Sequence, residues 1–235
     1  MVDDVREMFA DIAQDYDRAN RVLSFGIDRR WRKTAVEAAD VAKGSDVLDC
    51  ATGTGDLAQA FKDEVGPTGR VVGLDFVERM VRLAQAKAGE AEVDLGLIVG
   101  DALRLPYADD SFDLASIAFG IRNVDDPVGC LQEMARAVKH EGRVVVLEFG
   151  TPEGLMSAPY RLYSRHILPR IGEWLTGNRE AYEYLPESQA EFPDGEAFLE
   201  LMEEAGVFER TGFEPLTGGI AYLYTGEVAK AAGYR

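Results

Sequence analysis

The sequence predicts an α/β fold, a mostly parallel seven-stranded sheet with helices on both faces, plus N-terminal helices and an inserted helical lid. Three observations carry this. Short apolar runs alternate with helix-length amphipathic stretches through the middle of the chain. Glycine or acidic residues close several of those runs. After Phe149 the alternation stops, and arginines and prolines enter an otherwise apolar stretch.

Residues 3–24 place Val5, Met8, Phe9, Ile12, Tyr16 and Leu23 at helical spacing, predicting one amphipathic helix. A second helix is predicted from Asp28 to Asp40, with Asp28 as its N-cap. Ser45–Cys50 reads as a buried strand, followed by a glycine loop and a helix from Asp56. Gly66-Pro67-Thr68-Gly69 is a turn, Arg70–Asp75 a strand and Val77–Gly89 a helix. Strands follow at Leu95–Val99, Phe112–Phe119 and Arg143–Phe149, with a helix at Asp126–Lys139. Crossovers of this length make the strands parallel. Leu155–Leu175, with Pro159 and Pro169 as breakers, reads as an inserted helical segment. Asp194–Ala205 is a helix ending at Gly206, and runs near Phe213 and at Ile220–Thr225 close the sheet, the second antiparallel. One domain is expected: residues 1–40 a helical cap, 41–150 a cofactor-binding core, 151–193 a lid, 194–235 a closing helix and strands.

A chain of 235 residues, 46% hydrophobic, suffices for one such core. Its net charge of −17 argues against nucleic acid. Two cysteines and two histidines make neither a disulfide framework nor a metal cluster, so no metal and a cytoplasmic setting are expected. The longest uncharged stretch, Pro215–Gly226, is too short for the roughly 20 residues that span a bilayer. The acidic start, Val2-Asp3-Asp4, does not read as a signal peptide. Charge is uneven, however. Between Arg18 and Lys33 six cations face one acid, Asp28, and between Leu155 and Arg179 four arginines face one acid, Glu173.

The strongest motif is Val47-Leu48-Asp49-Cys50-Ala51-Thr52-Gly53-Thr54-Gly55-Asp56, a strand running through a glycine turn into a helix. Ligands of open α/β sheets bind at such strand ends. The dinucleotide fingerprint is absent, since the third glycine is missing and Asp56 would repel a pyrophosphate. An acidic surround suits S-adenosylmethionine, which carries a sulfonium and an ammonium. About 20 residues on, Asp75 ends the next strand and is placed to hold ribose hydroxyls. Asp101 and Ala102 follow the third strand and are placed to meet adenine. With Asp49, Gly53, Thr54 and Gly55 in the first turn and Ala118 at the end of the fourth strand, these form the expected cofactor set.

Further blocks resemble one family. Tyr16-Asp17-Arg18-Ala19-Asn20-Arg21-Val22-Leu23-Ser24 with Trp31, then Phe119-Gly120-Ile121-Arg122-Asn123, Leu147-Glu148-Phe149, Tyr182 to Ser188, and Thr217-Gly218-Gly219-Ile220 are similar to the ubiquinone/menaquinone biosynthesis C-methyltransferases, a branch of the Rossmann-like class I methyltransferases. Ala19 and Asp28 depart from that family's usual Met and His. The resemblance implies methylation of a ring carbon of a prenylated quinol, demethylmenaquinol first; a benzoquinol or soluble phenol, or a non-catalytic subunit of a quinone-synthesis complex, are the alternatives. Arg122 is the first catalytic candidate, to stabilise a phenolate, against a salt bridge to Asp125 or Asp126. Asp17, Tyr16 and His166 are candidates for moving protons. Asn123 is placed to bond a quinol oxygen. The basic islands, rich in Leu, Tyr and Trp, are expected to cover the quinol pocket and touch anionic membrane at its cytoplasmic face. The oligomeric state is left open, a homodimer included.

Overall fold

The computed structural model describes residues 2–229. Its sheet runs in the order β3-β2-β1-β4-β5-β7-β6, where β1 is Asp46–Cys50, β2 Arg70–Asp75, β3 Gly96–Val99, β4 Phe112–Ala118, β5 Val138–Phe149, β6 Phe208–Leu216 and β7 Ala221–Val228. The first five strands pair in parallel, and β7 is antiparallel to both β5 and β6. The chain winds outward from β1 to β3 and returns beside β1 at β4. The carboxyl ends of β1 and β4 therefore part, opening the crevice where such sheets bind ligands.

Residues of each strand alternate between two cores, as a period of two requires. Val47, Val71, Leu114, Val145 and Leu147 pack with Trp31, Ala35 and Phe61, from α3 (Ile27–Ala39) and α4 (Asp56–Val65). Leu48, Val72, Ala115, Val144 and Val146 pack with Leu131, Met134, Phe198 and Met202, from α6 (Pro127–Ala137) and α10 (Glu196–Glu204). Helix α5 (Glu78–Glu90) lies along β2 and β3.

A smaller core lies outside the sheet. Ile12, Ala19, Leu23, Leu168, Leu175, Ala181 and Tyr182 gather α1 (Val2–Ile12), α2 (Tyr16–Leu23), α8 (Leu168–Thr176) and α9 (Glu180–Glu191) into a helical cap. The N-terminal stretch is thus two helices. The break at residues 13–15 turns Ala13 onto Val77 and Met80 at the start of α5, while Ile12 and Leu23 face the cap. Asp28 is not the N-cap of α3. Phe25 and Gly26 take left-handed φ of 54° and 75°, the Gly26 amide donates to Arg21 O, and α3 opens at Ile27 with Asp28 in its first turn. Pro159 and Pro169 do not break their segment either. Pro159 lies in the first turn of α7 (Ser157–Leu162), where its missing N–H is not needed, and Pro169 follows a π turn at Tyr163–Ile167 that leads into α8.

Candidate active site

The carboxyl ends of β1 to β4 enclose a cavity of about 390 Å³. The turn after β1 is held in left-handed backbone, Ala51 at φ 48°, Gly53 at 57° and Gly55 at 85°. Glycine suits such angles, and no atom lies within 4 Å of where a Gly53 Cβ would stand, so the backbone there is open to a ligand. The Asp75 carboxylate fixes that turn, accepting the Gly53 amide at 2.8 Å and the Val77 amide at 2.9 Å. Burial raises its pKa, against the pull of those two amides. Asp101, Ala102 and Ala118 line the same cavity, and Arg6 and Phe9 of α1 close over it.

A second cavity, of about 290 Å³, lies between the sheet and the cap. Its walls are mainly apolar and aromatic: Phe9, Trp31, Phe149, Tyr163 and Leu185 among them. Phe9, Tyr16 and Phe119 line both cavities, so the two meet at these rings. Phe119, at a left-handed φ of 56° just past β4, lies 4.3 Å from the Phe149 ring. Such strain in a non-glycine residue persists where the surroundings impose it, and functional sites are where it gathers.

Arg122 also lines this second cavity, with its side chain 3% exposed. Its Nη1 donates to Glu148 Oε1 at 2.7 Å and to Phe119 O at 2.7 Å, and the guanidinium lies over the Phe149 ring. Glu148 further accepts the Phe149 amide. The Arg122 Nε is buried with no protein partner. A buried donor without an acceptor costs on the order of 1–3 kcal/mol, which a bound oxygen would recover.

A cleft at the strand ends, with Asp75, Asp101 and Asp125 in its wall, thus meets an apolar chamber that holds the unsatisfied donor of Arg122. The ubiE/COQ5 methyltransferase family model matches residues 2–228. The chain belongs to this family. Its relatives include the ubiquinone/menaquinone biosynthesis C-methyltransferase of Bdellovibrio bacteriovorus, 51% identical over 95% of each chain. The demethylmenaquinone methyltransferase of Deinococcus radiodurans is 48% identical, over 95% of this chain and 92% of that one. Among solved structures, a methyltransferase from Thermotoga maritima described as a possible histamine N-methyltransferase aligns with a TM-score of 0.67. At 22% identity over 94% of this chain and 98% of that one, it shows the shared fold alone. This family member is a methyltransferase whose cofactor is S-adenosylmethionine. The first cavity suits it: carboxylates for a cation and a diol, and a turn with no side chain at Gly53.

The structure gathers Gly53, Asp75, Asp101, Ala102 and Ala118 around the first cavity, with Asn123, whose Oδ1 accepts from Tyr184 at 3.0 Å. Other expectations need correction. Asp49 does not line either cavity; it is buried beneath the turn, accepting from Thr52 and Ser116 at 2.6 Å each. Burial, only partly offset by these hydroxyls, lifts its pKa to about 6. Thr54 and Asp17 also stand away from both cavities. The Thr54 hydroxyl donates to Asp17, and Lys87 donates to Asp17 and Asp56, fastening α2 to the starts and ends of the helices behind the turn. Gly55 is the N-cap of α4, and its missing Cβ gives Ala84 of α5 room, 3.3 Å from where it would stand. His166 does not line the chamber; it lines a groove with Arg161, Arg165 and Glu187 that adjoins the chamber at Tyr160 and Gln189. Arg122 pairs with Glu148 instead of Asp125 or Asp126, because the short helical turn Ile121–Asn123 aims it back at the end of β5. Asp28, Arg32 and Phe119 were missing from the predicted set. Phe119 opens one of the family blocks and Asp28 departs from that family's usual His, but their meeting with Arg32 in one wall depends on how α3 packs near the end of β4.

Proposed function

We propose that this protein transfers the methyl group of S-adenosylmethionine to a ring carbon of a prenylated quinol, demethylmenaquinol above all. One observation supports it most: the acid-lined cavity and the apolar chamber meet at Phe9, Tyr16 and Phe119. A ring held in the chamber faces a ligand held at the strand ends. The names of relatives from Bdellovibrio and Deinococcus point to the same chemistry.

The bound cofactor supplies an electrophilic methyl group. The chain's own residues do the rest. Asp75 and Asp101 hold the adenosyl end, and the open Gly53 backbone admits it. The free Nε–H of Arg122 donates to the quinol oxygen and stabilises it as its proton leaves. Asn123, its carbonyl taken by Tyr184, offers its amide N–H groups. Tyr16 stands at the junction of the cavities, and burial raises its pKa, so it serves as a hydrogen-bond donor and not as a base. The chamber walls are mainly apolar, and a cation and a developing anion that neutralise each other react faster in such surroundings.

The cap presents the chamber to a bilayer. Phe25 lines the chamber and is 79% exposed at its rim. Leu155 is 97% exposed and Trp174 78%. Exposed Val22, Leu155, Leu162 and Ile167 each neighbour a lining residue, Leu23, Met156, Tyr163 and Leu168. Around them, Arg18, Arg21, Arg29, Arg30, Arg161, Arg165 and Arg170 make no ion pair among the described residues. Apolar side chains amid free arginines suit an anionic membrane surface, and no helix of the described residues is long and apolar enough to cross it. Methyl transfer from labelled S-adenosylmethionine to chemically reduced demethylmenaquinone, with a benzoquinol alongside, tests the reading. Labelled menaquinol is expected; no labelled product from any quinol overturns it.

A further inference from the structure

The chamber needs a group that accepts a proton, and its walls are nearly bare of them. Among the described lining residues, Asp28 is the sole carboxylate, and no histidine lines the chamber. Arg32 and Arg122 are the other charged lining groups, and guanidinium stays protonated. Five tyrosines line it too: burial raises the pKa of Tyr16, Tyr160, Tyr163 and Tyr182 above the ordinary phenol value, and the Tyr184 hydroxyl donates to Asn123. Glu148 lies outside the lining and is filled by Arg122 and two backbone amides. Asp17 is taken up by Thr54 and Lys87.

Asp28 is buried, yet its carboxylate is only half used. Its Oδ1 accepts from Ser24 Oγ at 2.8 Å and its Oδ2 from Arg32 Nη1 at 2.6 Å. A carboxylate accepts about four hydrogen bonds, so two places remain. Stability alone does not account for this pair. An i,i+4 ion pair on a helix is worth about 0.3–0.5 kcal/mol at a surface, while taking two charges out of water costs several. Arg32 in turn lies over Phe119, the ring at the seam with the cofactor cavity, 5.6 Å from its centroid.

We propose that Asp28 is the catalytic proton acceptor, taking the hydroxyl proton of the quinol held in the second chamber. This rests on the quinol reading above. The O–H bond breaks and its proton passes to Asp28. The neighbouring ring carbon uses the freed electron density to bond the methyl carbon, and the carbon–sulfur bond breaks with its electron pair left on sulfur. The methylated carbon then gives up its own proton to water, its bonding pair restoring the aromatic ring, and the oxygen recovers the proton from Asp28. One proton is released per turnover. Ser24 and Arg32 position the carboxylate through their two hydrogen bonds.

Asp28→Asn keeps acceptors for Ser24 and Arg32 but cannot take a proton, whereas Asp28→His and Asp28→Glu can. With the full chain and a short-tailed reduced demethylmenaquinone, kcat of D28N is expected to fall about 10²- to 10⁴-fold, with KM and calorimetric S-adenosylmethionine affinity within about threefold of the parent. D28H or D28E is expected to recover at least tenfold of that loss. D28N turning over within fivefold of the parent overturns the assignment. So does a folded D28H and D28E pair no faster than D28N. Loss of cooperative unfolding in D28N while D28H and D28E fold but stay inactive gives Asp28 a structural part and overturns it too. A parent protein inactive on every quinol sinks the quinol reading instead, which separates the two failures.

Discussion

The sheet and the cap are built from similar residues and put them to different ends. In the sheet, Leu48, Phe112, Leu114, Ile117 and Leu147 are fully buried, and the central strands supply both faces. In the cap, helices with one buried stripe keep a second apolar face toward solvent, at Val22, Leu162 and Ile167. Their packing leaves a chamber, and seven arginines of the cap segments, Arg18 and Arg161 among them, make no ion pair among the described residues. A sheet that must only position loops fills its interior; a cap that must admit an apolar ring holds space open and leaves greasy surface beside it. Stability is concentrated in the first and recognition in the second.

The seam between the two is where the contrast breaks most sharply. Arg122→Met leaves the Glu148 charge buried without its partner, and about 3–5 kcal/mol of stability is expected to go. Urea unfolding of R122M against a double variant with Glu148→Gln measures it. The double variant should regain part of the loss but not methyl transfer; a single variant as stable as the parent denies that the pair is buried.

Inside the sheet a pH effect below neutrality is expected at Asp49. Its folded pKa of about 6 exceeds its ordinary value of 3.8, so the native state holds that proton more tightly than the unfolded chain. The stability it contributes is full below pH 4 and lost as pH rises through about 6, by up to about 3 kcal/mol. Relative to D49N, the parent should therefore lose stability between pH 4 and 7.5 in denaturant titrations. A constant difference across that range contradicts the burial.

The cap surface should give the smallest change in stability and a clear change in binding. Replacing Leu155 and Trp174 together by Ser is expected to move unfolding by no more than about 0.5 kcal/mol. Sedimentation with vesicles containing phosphatidylglycerol should show the parent bound at low salt, released at high salt, and the double variant bound weakly throughout. Equal binding of the two proteins removes the membrane from the account.

Strand β2 matches its sequence reading residue for residue, and α4 starts where Asp56 follows the glycine turn. These are local matters: period, turn chemistry and chain length between strands. The same holds for Asp75, Asp101 and Gly53, which sit at strand ends and so reach the crevice whenever the strands pair in order. The family blocks carried the cofactor and reaction class with them. Tertiary structure alone decided the rest. It sent Asp17 and Thr54 to Lys87, His166 to an adjoining groove and Arg122 to Glu148, and it set Asp28, one turn into α3, in the wall of the chamber. Sequence spacing sets which way a side chain faces on its own element; which other element meets that face depends on how distant segments pack, and no local signal records it.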